Sequence, residues 1–111
     1  NNLFIPEPKR NYAQNIYWVI GILITNKKLK LDAKSFIKKL KKFNIGTRPF
    51  FWPMHKQKIF KHLKKRNSNK FSNSEYISKY GFYLPSSLSL KNSEIDYICK
   101  KVNYILSKVN D

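Results

Sequence analysis

The chain has 111 residues, with 23 Lys or Arg against 6 Asp or Glu, giving a net charge of +17. Its length fits one domain, 1–111, and 41% hydrophobic with 15% aromatic residues is enough for a packed core, which excludes a disordered or low-complexity chain. The charge first suggests a polyanion partner, but only Arg10, Arg48 and Arg66 are arginines and the other basic residues are lysines, which lack the planar fork suited to bidentate phosphate and guanine contacts. Solvated charge is therefore preferred over a dedicated nucleic-acid surface, and neither a specific nucleic acid nor a membrane is expected as a partner.

Residues 1–15 read as an irregular lead-in, with Pro6 and Pro8 opposing regular strand pairing. No charged and apolar leader is visible there, so a cytoplasmic setting is expected. The run Ile16–Ile24 is the longest apolar stretch, far short of the roughly 20 residues of a membrane helix. Its β-branched and aromatic content predicts a central strand buried on both faces, with Gly21 marking a bulge or a close backbone approach. Asp32 is placed to cap a helix whose apolar positions are Ala33, Phe36, Ile37, Leu40 and Phe43, with Gly46 available to end it.

A second strand is expected over Gly46–Phe51, stopped by Pro53. A short helix around Ile59, Phe60 and Leu63 would precede a loop at Asn67–Asn69, and another would run from Ser74 to Tyr80, closed by Gly81. Phe82–Leu84 is a third strand candidate. Asn92 or Ser93 would cap the last helix, with Glu94 near its positive end and a stripe of Ile95, Ile98, Cys99, Val102, Ile105, Leu106 and Val109 facing the core. Cys99 on that stripe reads as a buried, inert thiol. His55 and His62 lie seven apart with no cysteine or carboxylate spaced to join them, so no metal site is expected. The fold expected is α+β, a small three-stranded sheet packed with helices.

The segment Asn44–Gln57 carries most of the chemistry. Phe50, Phe51 and Trp52 are consecutive, and alternation along an extended chain prevents all three from facing one core. Pro49 and Pro53 stiffen the path, with Arg48 and His55 at its ends. Aromatics, one guanidinium and one imidazole suit a pocket for a flat or anionic compound; a core strand leading into a rigid turn, with Arg48 paired to a carboxylate, explains them equally well.

This segment resembles a known family. Gly46-Thr47-Arg48-Pro49-Phe50-Phe51-Trp52-Pro53-Met54-His55-Lys56-Gln57 is similar to the glycine-x-arginine-proline-aromatic-aromatic and proline-methionine-histidine stretch of DegT/StrS-type aminotransferases, closest to the perosamine-synthase-like branch. Gly81–Leu88 is similar to the family's leucine-proline turn before the final helix, and Glu94–Cys99 resembles that helix's start. The resemblance implies the small C-terminal domain of an enzyme that uses pyridoxal phosphate (PLP) to aminate a keto sugar carried on a nucleoside diphosphate. It implies a homodimer and a separate large domain holding PLP on a Schiff-base lysine. Arg48, Phe50, Phe51, Trp52 and His55 are then substrate-binding candidates for the nucleotide sugar. No segment resembles the family's lysine motif, so no catalytic or cofactor-binding residue is expected in this chain. It reads as a piece of a longer protein or a shortened gene product, inactive by itself. Two other readings stand beside this one: a basic nucleic-acid-binding module, and a dimerisation or interaction domain.

Overall fold

The computed structural model describes residues 2–60 and 71–109. Among the described residues three α-helices, α1 (Ala33–Lys41), α2 (Ser72–Tyr80) and α3 (Asn92–Ser107), accompany six short strands: β1 (Leu3–Phe4), β2 (Lys9–Arg10), β3 (Ala13–Gln14), β4 (Ile20–Ile24), β5 (Arg48–Pro49) and β6 (Gly81–Leu84). The fold is α+β as expected. The sheet has four strands rather than three, in the order β1-β4-β6-β5 with every neighbouring pair antiparallel, and β2 and β3 form a separate ribbon. The lead-in is therefore partly paired: Leu3 and Phe4 lie opposite Ile24 and Leu23 before Pro6 is reached.

Register sorts the side chains into two faces. Ile22 lies opposite Phe82 and Gly21 opposite Tyr83. Ile22, Ile24 and Phe82 are buried and pack with Phe36 and Leu40 of α1 and with Ile98, Val102, Ile105 and Leu106 of α3. At the centre the Phe36 and Phe82 rings stack at 5.1 Å, both fully buried. The opposite face carries Gly21, Leu23 and Tyr83, which are only partly buried, so β4 is fully buried on one face only. It is also shorter than expected. Tyr17 adopts φ 46°, its N–H bonded to Asn15 Oδ1 at 2.8 Å. That left-handed residue turns the chain out of any strand, leaving Ile16 and Trp18 85% and 75% exposed.

Helix α1 begins where its cap predicts: Asp32 Oδ1 accepts from Ser35 N at 2.8 Å. It ends through Asn44 at φ 58°, with Ile45 N returning to Leu40 O at 3.2 Å and the Ile45 side chain buried behind it. Asn44, and not Gly46, supplies the left-handed turn. Helix α2 begins at Ser72, two residues earlier than predicted. Helix α3 is flanked by Lys91, whose N–H donates to Glu94 Oε2 at 2.8 Å, so the reach-back comes from Glu94 while Asn92 and Ser93 lie inside the helix. Cys99 is exposed, correcting the buried reading, as is Ile95. The apolar stripe is real, but only the part under α1 and the sheet is covered. The helix expected around Ile59, Phe60 and Leu63 falls mostly in residues 61–70, outside the described residues, and so does the Asn67–Asn69 loop.

The radius of gyration is 16.0 Å, against about 13 Å for a compact domain of this size. Among the described residues the β2 and β3 strands pair only with each other, and all four residues are exposed. No helix among the described residues is long and apolar enough to cross a membrane.

The glycines differ sharply in tolerance. A methyl group on Gly81 would run into the Phe50 ring and stand 2.5 Å from Ile77 O, whereas one on Gly46 meets nothing within 4 Å. Gly81→Ala should therefore destabilise the chain by about 1–3 kcal/mol, and Gly46→Ala should be neutral or stabilise by about 0.4–1 kcal/mol; urea unfolding of both variants beside the parent checks the contrast. The hydrogen bonds from Ser35 hold the Asp32 carboxyl below its ordinary pKa. Its contribution is present above the unfolded pKa and lost as pH falls through the lowered folded value. Asp32→Ala should cost about 1 kcal/mol at neutral pH. That gap should close on acidification, as stability curves at several pH values would show.

Candidate functional site

The aromatic segment leaves β5 and folds over the face of the sheet that carries Gly21 and Tyr83. Arg48 lies opposite Tyr83 in the ladder, exposed and without an ion pair among the described residues. The expected alternative of a carboxylate partner for Arg48 is not seen there. Phe50 N donates to Gly81 O at 3.1 Å, which anchors the segment one residue beyond β5. The Phe50 ring lies on the backbones of Gly21 and Gly81, where added methyl groups would strike it, and packs on Tyr83 at 4.6 Å. The close approach expected at Gly21 is this ring. Phe51 stands edge-on to Tyr83 at 5.8 Å and is otherwise exposed. Tyr83 ionises less readily than a free phenol because of its burial.

Beyond Phe51 the path turns. Trp52 is 63% exposed, Pro53 is buried, and Met54–Lys56 make one tight turn with Gln57 N returning to Met54 O at 3.0 Å. This turn places His55 against α2. Its ring stacks on Phe71 at 4.5 Å and its Nε2 lies 2.8 Å from Glu75 Oε1; Lys56 Nζ reaches Glu75 Oε2 at 3.2 Å. Glu75 thus clasps two consecutive loop residues. Hydrogen bonds from His55 and then from Lys56 hold its carboxyl below the usual carboxylate range. The clasp's contribution is present above the usual carboxylate range and is lost as pH falls through the lowered folded value. With Nε2 directed at the carboxylate, the neutral ring carries its proton there and leaves Nδ1 as an acceptor.

The five candidate residues therefore fall into separate settings. Phe50 and Phe51 gather on Tyr83, Arg48 lies beside them on β5, Trp52 faces α2, and His55 is engaged with Glu75 and Phe71. Trp52 and Lys56 line a depression of about 380 Å³ together with Glu75, Tyr76 and Tyr80 of α2. A smaller apolar depression of about 180 Å³ lies across Phe50, between Phe4, Leu23 and Ile77. Glu75, Tyr76 and Tyr80 were not singled out in the sequence. One signal existed: Glu75 is one of only six carboxylates in a chain of net charge +17.

Among the described residues no His, Cys, Asp and Glu cluster could hold a metal ion. No polar or charged residue among them is buried, so no described lysine has the dry, enclosed setting that favours a neutral amine for Schiff-base chemistry.

Comparison with known proteins agrees with the loop's resemblance. Residues 2–103 match the model of the DegT/DnrJ/EryC1/StrS aminotransferase family. The GDP-perosamine synthase of Vibrio cholerae is 29% identical over 89 residues, 79% of this chain and 23% of that protein. The enzyme of the same name from Escherichia coli O157:H7 is 29% identical over 92 residues, 82% of this chain and 23% of that protein. The chain thus spans about a quarter of the length of the curated relatives it matches. In fold it is similar to the aminotransferase TlmJ from Streptoalloteichus hindustanus, with a TM-score of 0.80 at 14% identity, covering 100% of this chain and 28% of that one. With its motif segment, its sheet, its first two helices and most of the last one inside the matched range, the chain belongs to the DegT/DnrJ/EryC1/StrS aminotransferase family.

Proposed function

We propose that this chain works as one domain of a PLP-dependent aminotransferase that aminates a keto sugar attached to a nucleoside diphosphate, and that its 48–55 segment forms part of the wall around that substrate. The observation that carries this reading is the family match over residues 2–103, which includes the whole aromatic segment. The two relatives named GDP-perosamine synthase support a nucleotide-linked sugar. PLP, when bound, supplies the electron sink for amino transfer; in this reading it sits outside the described residues, in the rest of the enzyme. The working form is a homodimer in the cytoplasm, as the resemblance implies, and the lone cysteine suits a reducing compartment.

The residues of this chain have three tasks. Phe50, seated on two glycines, fixes where the loop leaves the sheet. The Glu75 clasp holds His55 and Lys56, so that Trp52 is presented from a stiff turn and needs little ordering when substrate arrives. Arg48 offers a fixed charge for an anionic part of the substrate. Phe4, Trp18 and Phe51 are each exposed and open to an interaction role, and the two roles are compatible in one enzyme domain.

In the enzyme carrying this domain, Arg48→Ala and Trp52→Ala should lower kcat/KM for the sugar substrate on the order of 10- to 150-fold, the effect of losing about 1.5–3 kcal/mol of binding. The half-reaction with the amino donor should change little. His55→Ala should follow the same pattern through loss of the clasp. Separate measurement of the two half-reactions, with melting temperatures, checks this; unchanged sugar kinetics in all three folded variants would refute the assignment. The chain alone should bind PLP no better than a generic lysine-rich protein. Borohydride trapping after PLP titration should give scattered lysine labelling, and one lysine modified stoichiometrically at micromolar PLP would overturn the domain reading.

A further inference from the structure

The C-terminal ends of α1 and α3 form a second, separate surface. Phe43, just past α1, and Tyr104 of α3 meet edge to face at 5.9 Å and 89°, and Tyr97 OH donates to Phe43 O at 3.3 Å. Between the helices lies a groove of about 210 Å³, lined by the apolar groups of Phe43, Tyr104 and Ile105 and by Lys39, Lys42 and Lys108. Ile105 is buried at its bottom, and the three lysines are exposed at its rim. Lys101 adds a further cation, its Nζ 4.7 Å from the Phe43 ring and 5.2 Å from the Tyr97 ring. Among the described residues no carboxylate lines the groove, and none of these lysines has an ion pair. Lysines at the end of a helix offset its negative pole. That accounts for where Lys39, Lys42 and Lys108 sit, but it leaves their charge unpaired around an apolar recess.

Charge and shape select among occupants. A second copy of this chain would bring like charge, +17 against +17. A bilayer is flat and takes up apolar side chains that protrude into it, whereas this apolar surface is recessed. Nucleic acid would bring phosphates, but base stacking needs a free ring face, and the Lys101 ammonium stands over Phe43, Tyr97 and Tyr104. No arginine lines the groove to fork onto a phosphate. A purely apolar segment would desolvate ammonium groups without pairing them. An acidic segment with one large apolar side chain satisfies every group: the side chain enters the recess, and carboxylates on either side of it pair with the lysines. The volume lies below the roughly 300–1,000 Å³ of small-molecule sites, which suits one side chain rather than a whole ligand. We propose that the groove between the ends of α1 and α3 docks an acidic segment of a partner protein, through one bulky apolar side chain flanked by carboxylates. Helices α1 and α3 pack on the face of the sheet opposite the Phe50 ring, so this surface is independent of the substrate wall proposed above.

The test uses the 111-residue chain and fluorescence anisotropy at physiological ionic strength. The probe is a fluorescein-labelled glutamate heptapeptide with phenylalanine at its centre, set beside the same peptide with alanine there. The phenylalanine peptide should bind saturably and about fivefold more tightly, the effect of burying part of one large ring. Reversing two rim charges, Lys42→Glu with Lys108→Glu, should weaken its midpoint about tenfold. Lys9→Glu with Lys34→Glu changes the net charge equally at exposed lysines outside the groove, and should weaken it less than about threefold, because salt screens distant charges. If the groove variant loses helicity by circular dichroism, Lys42→Gln with Lys108→Gln takes its place. Both contrasts together support the proposal. Equal midpoints for the two peptides, or equal losses in the two double variants, would overturn it, since binding would then follow net charge alone. An oligothymidylate of equal charge, or phosphatidylserine-rich vesicles, bound more tightly than the phenylalanine peptide and lost in the groove variant would also overturn it, and would name nucleic acid or a membrane as the occupant.

Discussion

The contact on which the functional side of this molecule depends is the Phe50 ring lying on the bare backbones of Gly21 and Gly81. Strands β4 and β6 pair so that these glycines come close on the face opposite the α1–α3 core, since Gly21 lies opposite Tyr83 and Leu23 opposite Gly81. A side chain at either place would lift the ring. With the ring seated and Phe50 N bonded to Gly81 O, the chain has one direction in which to continue. Pro53 and the Met54–Lys56 turn then carry it to α2. The helical core behind the sheet, centred on the Phe36–Phe82 stack, provides the rigidity against which this path is defined.

The second fixed point is electrostatic. Glu75 receives His55 and Lys56 from a loop twenty residues earlier in the chain, and the Phe71 ring backs the imidazole. One contact is apolar and steric, the other ionic and hydrogen-bonded, and they bracket Trp52. A half-exposed indole between two anchors is held ready at small entropic cost on binding. This answers why a surface segment carries so many large rings: Phe50 works as an anchor and Trp52 as a presented surface.

Much of this was readable from the residues. The 3/4 spacing of Ala33, Phe36 and Leu40, with Asp32 ahead of them, defines α1, and the same spacing from Ile98 to Leu106 defines α3. The aromatic triplet between prolines marks the functional segment, and its kinship with a sugar aminotransferase family is visible there. What was not readable has physical causes. Two-residue strands such as β1, β2 and β3 have no periodicity to detect. The end of β4 is set by a left-handed Tyr17, a conformation that a tyrosine does not announce. Exposure of Ile95 and Cys99 depends on how far α1 reaches along α3, which is a matter of packing rather than pattern. Glu75, Tyr76 and Tyr80 join the loop only because α2 folds back onto it, and no spacing along the chain encodes that meeting.

The two glycines beneath Phe50 are unequal, and this predicts how the segment drifts among related chains. At Gly21 the obstacle to a methyl group is the far end of the Phe50 ring, 2.8 Å away. A leucine at position 50 removes that end, so alanine at 21 and a smaller residue at 50 should arise together. At Gly81 the obstacle includes Ile77 O, a backbone atom, and no side-chain exchange relieves it. The side chain allowed at position 21 is thus coupled to the size of the one at 50, while position 81 is locked by the chain itself.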